Sequence, residues 1–452
     1  MTIMKTKRRK LSVWQLLALL YLGGTIIGSL LLILPFATKD GQETTYLNAL
    51  FTAASAVCIT GLTPYDVAVH WTLFGQIVIL LLIQMSGLGF MTLVSAAFLI
   101  FGRSMSMSNR NALMLDSRGT RSGLKILLLR ILAGTAICET VGALLLMIRF
   151  IPDFGAGNGI YFSVWHSISA FCNAGFDLMG NTETGLFVSL TAYVNDPLVT
   201  LTVSALIILG GLGFCVWGDI LDCKFNFKKF QLNTKVVLVV NTALILIGTS
   251  LFLLFERSNP TYAEFNFGEK LLASFFNAVT PRTAGFASTD TTSLSNSGYL
   301  LTVVLMFIGG GSGSTAGGIK IGTFTIIIMG MLAAFRGKRD INIGKKRIAY
   351  SSLSEALAIL AACLAILVLA ILAICTIQPS LPFKSVLFEC VSAVSNTGLT
   401  LNATTHLNAA SKVIIIFLMY AGRVGILTLA LALGQTKATA EIRRPIDNLL
   451  IG

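Results

Sequence analysis

Cys58-Ile59-Thr60-Gly61-Leu62 returns three times along this chain, as Cys172-Asn173-Ala174-Gly175-Phe176, Arg282-Thr283-Ala284-Gly285-Phe286 and Ser395-Asn396-Thr397-Gly398-Leu399. The glycines lie 114, 110 and 113 residues apart. Each pentapeptide follows a short apolar run and precedes a longer one. A fixed period that fills a chain marks a repeated structural unit. Four copies of one unit are therefore expected, over residues 1–122, 123–232, 233–350 and 351–452.

Outward from the glycines, each unit reads as helix, loop, helix. In the first, 12–34 is a span ending at Pro35, 47–57 a short helix, 58–62 an extended loop and 72–101 a return span. The counterparts are 124–150, 160–172 and 197–221, then 235–255, 269–279 and 299–335, then 354–377, 384–394 and 411–434. Runs of 18 or more apolar residues cross a bilayer, whereas runs of about 10–14 are re-entrant or buried. The expected fold is an all-α membrane protein with four tandem helix–re-entrant pore loop–helix repeats around a central pore, eight spans and four pore helices in all.

Composition agrees. Of 452 residues, 55% are hydrophobic and 12% charged, against roughly 25% charged in soluble domains, and the mean hydropathy is +0.81. The first apolar run is too long for a signal-peptide core. The net charge of +13 raises nucleic-acid binding, but the basic residues gather in short segments at 5–10, 103–125, 224–235, 336–347 and 437–444. That is the positive-inside pattern. It places these segments and both termini in the cytoplasm, in a multi-pass protein of the cell membrane, and leaves no nucleic-acid surface. The eight cysteines show no C-x-x-C pairing, so thiol packing is expected rather than disulfides or zinc. His70, His166 and His406 are scattered. No nucleophile–base pair or paired carboxylates stand out, so no enzyme is expected.

Non-helical backbone survives at membrane depth only inside protein or along a water-filled path. Four equivalent loops therefore imply a shared aqueous axis. Short helices pointing their C-terminal ends at that axis favour a cation there. Glycine suits a loop whose carbonyls replace the water shell of a bare ion.

The return run of the third unit contains Gly309-Gly310-Gly311-Ser312-Gly313-Ser314-Thr315-Ala316-Gly317-Gly318. Each glycine costs about 1 kcal/mol against alanine inside a helix, so this run is expected to break the helix. It lacks the G-K-[ST] ending of a phosphate loop. Equivalent places in the other units, at Gly87–Phe90, Gly210–Phe214 and Gly422–Gly425, read as milder small-residue packing. Arg423 lies within the last apolar run, where a charge is costly and functional. Its guanidinium is expected to bond the 309–317 loop, with Lys320 in a similar role. Glu139 is expected to pair with a basic residue, and Arg282 with Glu389.

These residues resemble the Trk/Ktr/HKT superfamily of potassium transporters over essentially the whole chain, most closely the Ktr membrane-subunit type (KtrB). The N-A-G-F loop at 173–176, the P-R-T-A-G-F loop at 281–286 and the glycine break carry the resemblance. It implies that Gly61, Gly175, Gly285 and Gly398 line a potassium filter, with the carbonyls of Ile59, Thr60, Asn173, Ala174, Thr283, Ala284, Asn396 and Thr397 completing it. Glycine at all four positions implies potassium preference, since a serine at the first accompanies sodium selectivity in related plant transporters. The resemblance also implies a gate made of Gly309, Gly310, Gly311, Ser312, Gly313, Ser314, Thr315, Ala316 and Gly317 with Lys320 and Arg423. It implies a homodimer in membrane lipid and a cytoplasmic nucleotide-binding regulatory subunit of the KtrA kind that responds to ATP or ADP. Sodium as a coupling or activating ion stays open. The alternative is an alternating-access secondary cation transporter built on broken helices. It calls for inverted repeats, whereas all four units here share one orientation by their charges.

Overall fold

Thr45 starts the first short helix by accepting a hydrogen bond from the Asn48 amide, and the helix ends where Ile59 turns left-handed. Around it, the first unit consists of α1 (Val13–Leu32), α2 (Tyr46–Cys58) and α3 (Leu73–Gly87). This is a computed structural model, and it describes residues 13–89, 121–181, 185–263, 265–338, 340–425 and 428–429. The basic segments at 5–10 and 437–444, most of 103–125, and residues 430–434 of the last expected span lie outside the described residues.

The second unit has α4 (Arg121–Phe171), α5 (Pro197–Leu212) and α6 (Phe214–Asp222). α4 is two helices in one run, because Gly155 takes φ 78 just after Pro152 and separates the long helix from the short one. The third has α7 (Leu232–Phe255), α8 (Phe267–Val279), α9 (Asn296–Phe307) and α10 (Ile321–Phe335), followed by a small hairpin of β1 (Ile341–Ile343) and β2 (Lys346–Ile348). The fourth has α11 (Tyr350–Ile377), α12 (Phe383–Ser395) and α13 (Ala409–Val424). Starts are capped as their sequences suggest. Asn266 and Glu269 form a reciprocal capping box on α8, Asp196 with Pro197 opens α5, and Asn408 caps α13.

In units one, three and four the short helix packs against the first helix and the return helix of its own unit, and in unit two α4 packs against the return helix α5. Each return helix also reaches the next unit: α3 meets α4, α5 meets α8, α9 meets α12, and α13 closes back onto α2. The core therefore surrounds the short helices. Phe51, Phe171, Phe276 and Phe388 on those helices are fully buried, each contributing about 1.5–3 kcal/mol by leaving solvent. The long helices do the opposite. Ile148, Leu246, Ile247, Leu369 and Leu372 are exposed, an apolar exterior suited to lipid. Segments within α1, α4, α7 and α11 are long and apolar enough to cross a membrane, and α5 with α6 is a fifth candidate if counted as one bent span. The protein is a multi-pass, mainly helical membrane protein.

The return helices depart from expectation. Continuous spans were expected in units one, two and four, yet α3 stops before Gly89 (φ 80), α13 stops at Gly425 (φ 88), and α5 and α6 meet at 89° across Gly213 (φ 102). The second unit is thus fully broken rather than mildly adapted for packing. The reason lies in its partner: the glycine run of unit three docks against it and takes up the backbone groups that a straight helix would have used. Amide bonds run from Gly311 to the Gly211 carbonyl (2.9 Å), from Thr315 to Gly210 (3.3 Å) and from Phe214 back to Gly313 (3.1 Å).

Candidate functional site

The four repeated glycines meet. A methyl group built on Gly61 would lie 2.6 Å from the Ala174 carbonyl oxygen and 3.3 Å from the Gly175 Cα. On Gly175 it would lie 2.7 Å from the Ala284 oxygen, on Gly285 it would strike the Thr397 oxygen, and on Gly398 the Thr60 oxygen. Each glycine thus faces the carbonyl just before the next unit's glycine, and the fourth faces that of the first. The order is cyclic and leaves no room for a Cβ.

All four glycines have positive φ, at 93, 70, 80 and 94° for Gly61, Gly175, Gly285 and Gly398. So do the residues two places earlier: Ile59 at 55°, Asn173 at 57°, Thr283 at 69° and Asn396 at 54°. Left-handed backbone costs a non-glycine residue about 1–2 kcal/mol, so four such residues at equivalent places need outside support. Serines supply it. Ser55 Oγ accepts the Gly61 amide (3.1 Å), Ser392 Oγ accepts the Gly398 amide (3.0 Å), and Ser169 Oγ donates to the Phe176 carbonyl (2.6 Å). In the third unit Thr280 Oγ1 donates to the Phe286 carbonyl (2.5 Å). Sequence reasoning missed these residues, although a serine six places before the glycine in units one, two and four was a visible signal. Asn396 Nδ2 donates to Thr60 Oγ1 (3.0 Å), tying the fourth loop to the first.

On one side of the ring lies a cavity of about 360 Å³ lined by all four glycines and by Asp66, Asp177 and Asp290. Its polar wall includes the 186–191 strap, which the Phe187 amide ties to Asp66 (2.7 Å) and Ser189 Oγ ties to the Ala287 amide (3.1 Å). Burial, reinforced by the neighbouring Asp66 carboxylate, pushes Asp177 up to about 7.

The glycine segment occupies residues 308–320 between α9 and α10. Its ends are stapled by Gly309 N–H to Ile319 O (2.9 Å) and Ile319 N–H to Phe307 O (3.3 Å). Thr315 Oγ1 donates to the carbonyl of Phe171, the last residue of α4 (3.3 Å). Gly317 is pressed against Ser395 and Asn396, where a Cβ would lie 2.8 Å from the Asn396 Cβ. Gly309, Gly310, Gly311, Ser312, Gly313, Ser314, Thr315, Ala316 and Gly317 therefore form one segment lodged against the ends of the second and fourth short helices. Arg423 Nη1 donates to Thr315 O (2.6 Å) and Nη2 to Ser86 O (2.8 Å). Lys320 Nζ donates to Ala316 O (2.5 Å).

Among the described residues, two expected pairs do not form. Arg282 bonds Asn241 and the Gly309 carbonyl, while Glu389 accepts from Thr400 (2.8 Å) and Thr404. They lie on opposite sides of their loops, because Arg282 follows its short helix and Glu389 precedes the end of its own. Glu139 accepts from Gln84 Nε2 (3.1 Å) rather than from a base. His166 is buried, between the Phe162 carbonyl (2.7 Å) and the Leu178 amide, a packing role.

The family model for TrkH-type cation transport proteins matches residues 24–438. The chain is similar to the potassium/sodium uptake protein NtpJ of Enterococcus hirae, at 41% identity over all of both chains. It is also similar to the Ktr system potassium uptake protein B of Bacillus subtilis, at 39% identity over 97% of this chain and 96% of that one. Among solved structures, the potassium transporter TrkH of Vibrio parahaemolyticus shares the fold, with a TM-score of 0.73 at 18% identity over 95% of this chain and 86% of that one.

Proposed function

This chain belongs to the TrkH family of cation transport proteins, and on that premise we propose that it takes up potassium across the cell membrane through the glycine ring. The observation that carries this reading is the cyclic contact of Gly61, Gly175, Gly285 and Gly398, each on the carbonyl before its neighbour's glycine. Eight backbone oxygens, those of Ile59, Thr60, Asn173, Ala174, Thr283, Ala284, Asn396 and Thr397, then stand in for the water shell of a potassium ion. A short helix ends at each loop, and its dipole favours the cation. The acidic cavity beside the ring is the outer mouth, where three carboxylates raise the local cation concentration. The closed order of the four units supports a central pore made by one chain, with each unit supplying one re-entrant loop.

The glycine segment acts as the gate. It lies against the inner ends of the short helices, and Arg423 holds it while adding positive charge on the cation path. Lys320 adds a second. Both termini lie in the cytoplasm, a reading that the basic loops support. The chain works as a homodimer in lipid with a separate nucleotide-binding subunit that moves the gate in response to ATP or ADP. The naming of the Bacillus subtilis relative as one component of a Ktr system supports such a subunit. The naming of the Enterococcus hirae relative for both ions keeps sodium as a coupling or activating ion within the reading. The direct test is growth at low potassium of a host that lacks its own potassium uptake, supplied with this chain and a matched regulatory subunit. Growth is expected. No growth, with the protein present in the membrane, contradicts the reading.

A further inference from the structure

Arg282 is a cation held inside the ring of helices without a carboxylate. It is 6% exposed. Its Nη1 donates to Asn241 Oδ1 on α7, its Nη2 to the Gly309 carbonyl at 3.3 Å, and its Nε has no partner. No ion pair among the described residues includes it. A charge kept among neutral acceptors in a membrane protein is expensive. A neutral side chain of similar size would fill the same space at less cost, so packing does not account for it.

The two ends of this side chain sit on the two moving parts of the proposed mechanism. At its root, the Arg282 amide closes onto Val279 O (3.1 Å), and the next residue is the left-handed Thr283, the first carbonyl of the third loop. At its tip, Gly309 is the neck of the glycine segment, paired through its own amide with Ile319. A swing of the segment turns the Gly309 peptide and changes what the guanidinium can hold. The equivalent residues in the other loops are Cys58, Cys172 and Ser395, none of which is a cation. The unit with the long glycine segment is also the unit with the arginine.

We propose that Arg282 is a positioning residue that couples ion occupancy of the glycine ring to the position of the 309–318 segment. This rests on the reading of the ring as filter and the segment as gate. Withdrawal of the segment releases the Gly309 carbonyl, lets the guanidinium shift, and relaxes the Thr283–Gly285 carbonyls. Linkage makes the effect reciprocal, so filling the ring with potassium changes how readily the segment leaves. The warrant is a direct bond between the two elements rather than their proximity.

The test places a thiol on the segment, at exposed Ser312. Ser312→Cys protein in liposomes is labelled with a membrane-impermeant maleimide from the gate side, with the parent chain as the baseline for native cysteines. External potassium is varied while flux is recorded in parallel. Labelling is expected to change at least about fivefold between empty and saturating potassium, the lower end of the usual range of coupling. Arg282→Gln is expected to abolish that dependence while leaving potassium flux measurable. Arg282→Lys is expected to abolish it too, since one ammonium cannot fork between Asn241 and Gly309. If neither variant reaches the membrane, Asn241→Ala keeps the arginine, frees its Nη1, and is expected to weaken the dependence. Unchanged dependence in the variants overturns the proposal. So does potassium-independent labelling of Ser312→Cys in a chain that still transports potassium, which leaves the filter reading standing. Absence of potassium flux from the unaltered chain overturns both.

Discussion

Arg423 Nη1 lies 2.6 Å from the carbonyl oxygen of Thr315, joining the last return helix to the middle of the glycine segment. The other arm of the same guanidinium holds Ser86 O, and Ser86 Oγ in turn holds Val57 O at the end of α2. One side chain from unit four thus secures the segment of unit three to the short helix of unit one.

Hydrogen bonds from a charged donor contribute about 1.5–3 kcal/mol each, and about 1.4 kcal/mol is a tenfold shift in an equilibrium. Arg423→Ala is expected to raise basal potassium flux, without the regulatory subunit, by about tenfold or more. Flux and regulation equal to the parent chain in liposomes refute the gate role.

At Gly213, φ is 102° and the next amide donates to Gly313 O. Gly213→Ala introduces about 1–3 kcal/mol of backbone strain and loosens the seat of the glycine segment. Raised leak flux and a lowered thermal midpoint in detergent are expected. A variant as stable and as tight as the parent chain shows that the bend in unit two is irrelevant to the segment.

Ser392 Oγ accepts the Gly398 amide in a fully buried setting. Ser392→Ala removes one buried hydrogen bond, worth about 1 kcal/mol, from the loop that must hold Asn396 left-handed. Reduced discrimination of potassium over sodium is expected in a dual-ion flux assay, with expression close to normal. Unaltered discrimination shows that the serine only packs.

Burial, and then the Asp66 carboxylate, push the Asp177 carboxyl up to about 7. In the proposed mechanism it is charged above that value and draws cations to the mouth with Asp66 and Asp290, and below it the mouth loses one negative charge. Uptake at subsaturating potassium is therefore expected to fall as external pH drops from about 8 to about 6. Asp177→Asn should be low and flat across the same range. A pH profile identical in parent and variant removes Asp177 from the entry step.

The short helices and their glycines were readable because the chemistry leaves one choice. A backbone with φ near +90° and a neighbouring carbonyl where a Cβ would sit admits only glycine, so the letter G marks where the four loops meet. The break at Gly309–Gly318 was readable for the same reason, six glycines being incompatible with a stable helix. The break in unit two was not. Gly210, Gly211 and Gly213 look like packing glycines until the docked segment supplies acceptors for Phe214 and donors for Gly210 and Gly211. Arg282 was misread because side-chain pairing was inferred from opposite charge, whereas Glu389 finds its donors in Thr400 and Thr404 of its own unit. Asn241, the other partner of Arg282, sits forty-one residues away on a lipid-facing helix, and no local pattern connects the two.

Gly175→Ser tests the central claim most directly. Gly175 has φ 70°, and a side chain there meets the Ala284 oxygen at 2.7 Å. Potassium and sodium fluxes are measured in parallel on parent and variant proteins in liposomes under equal gradients. A glycine ring that selects by its carbonyls predicts potassium flux above sodium flux in the parent chain, and a ratio at least about tenfold lower in the variant. Equal ratios in the two proteins, with potassium still moving, contradict the ring as the filter.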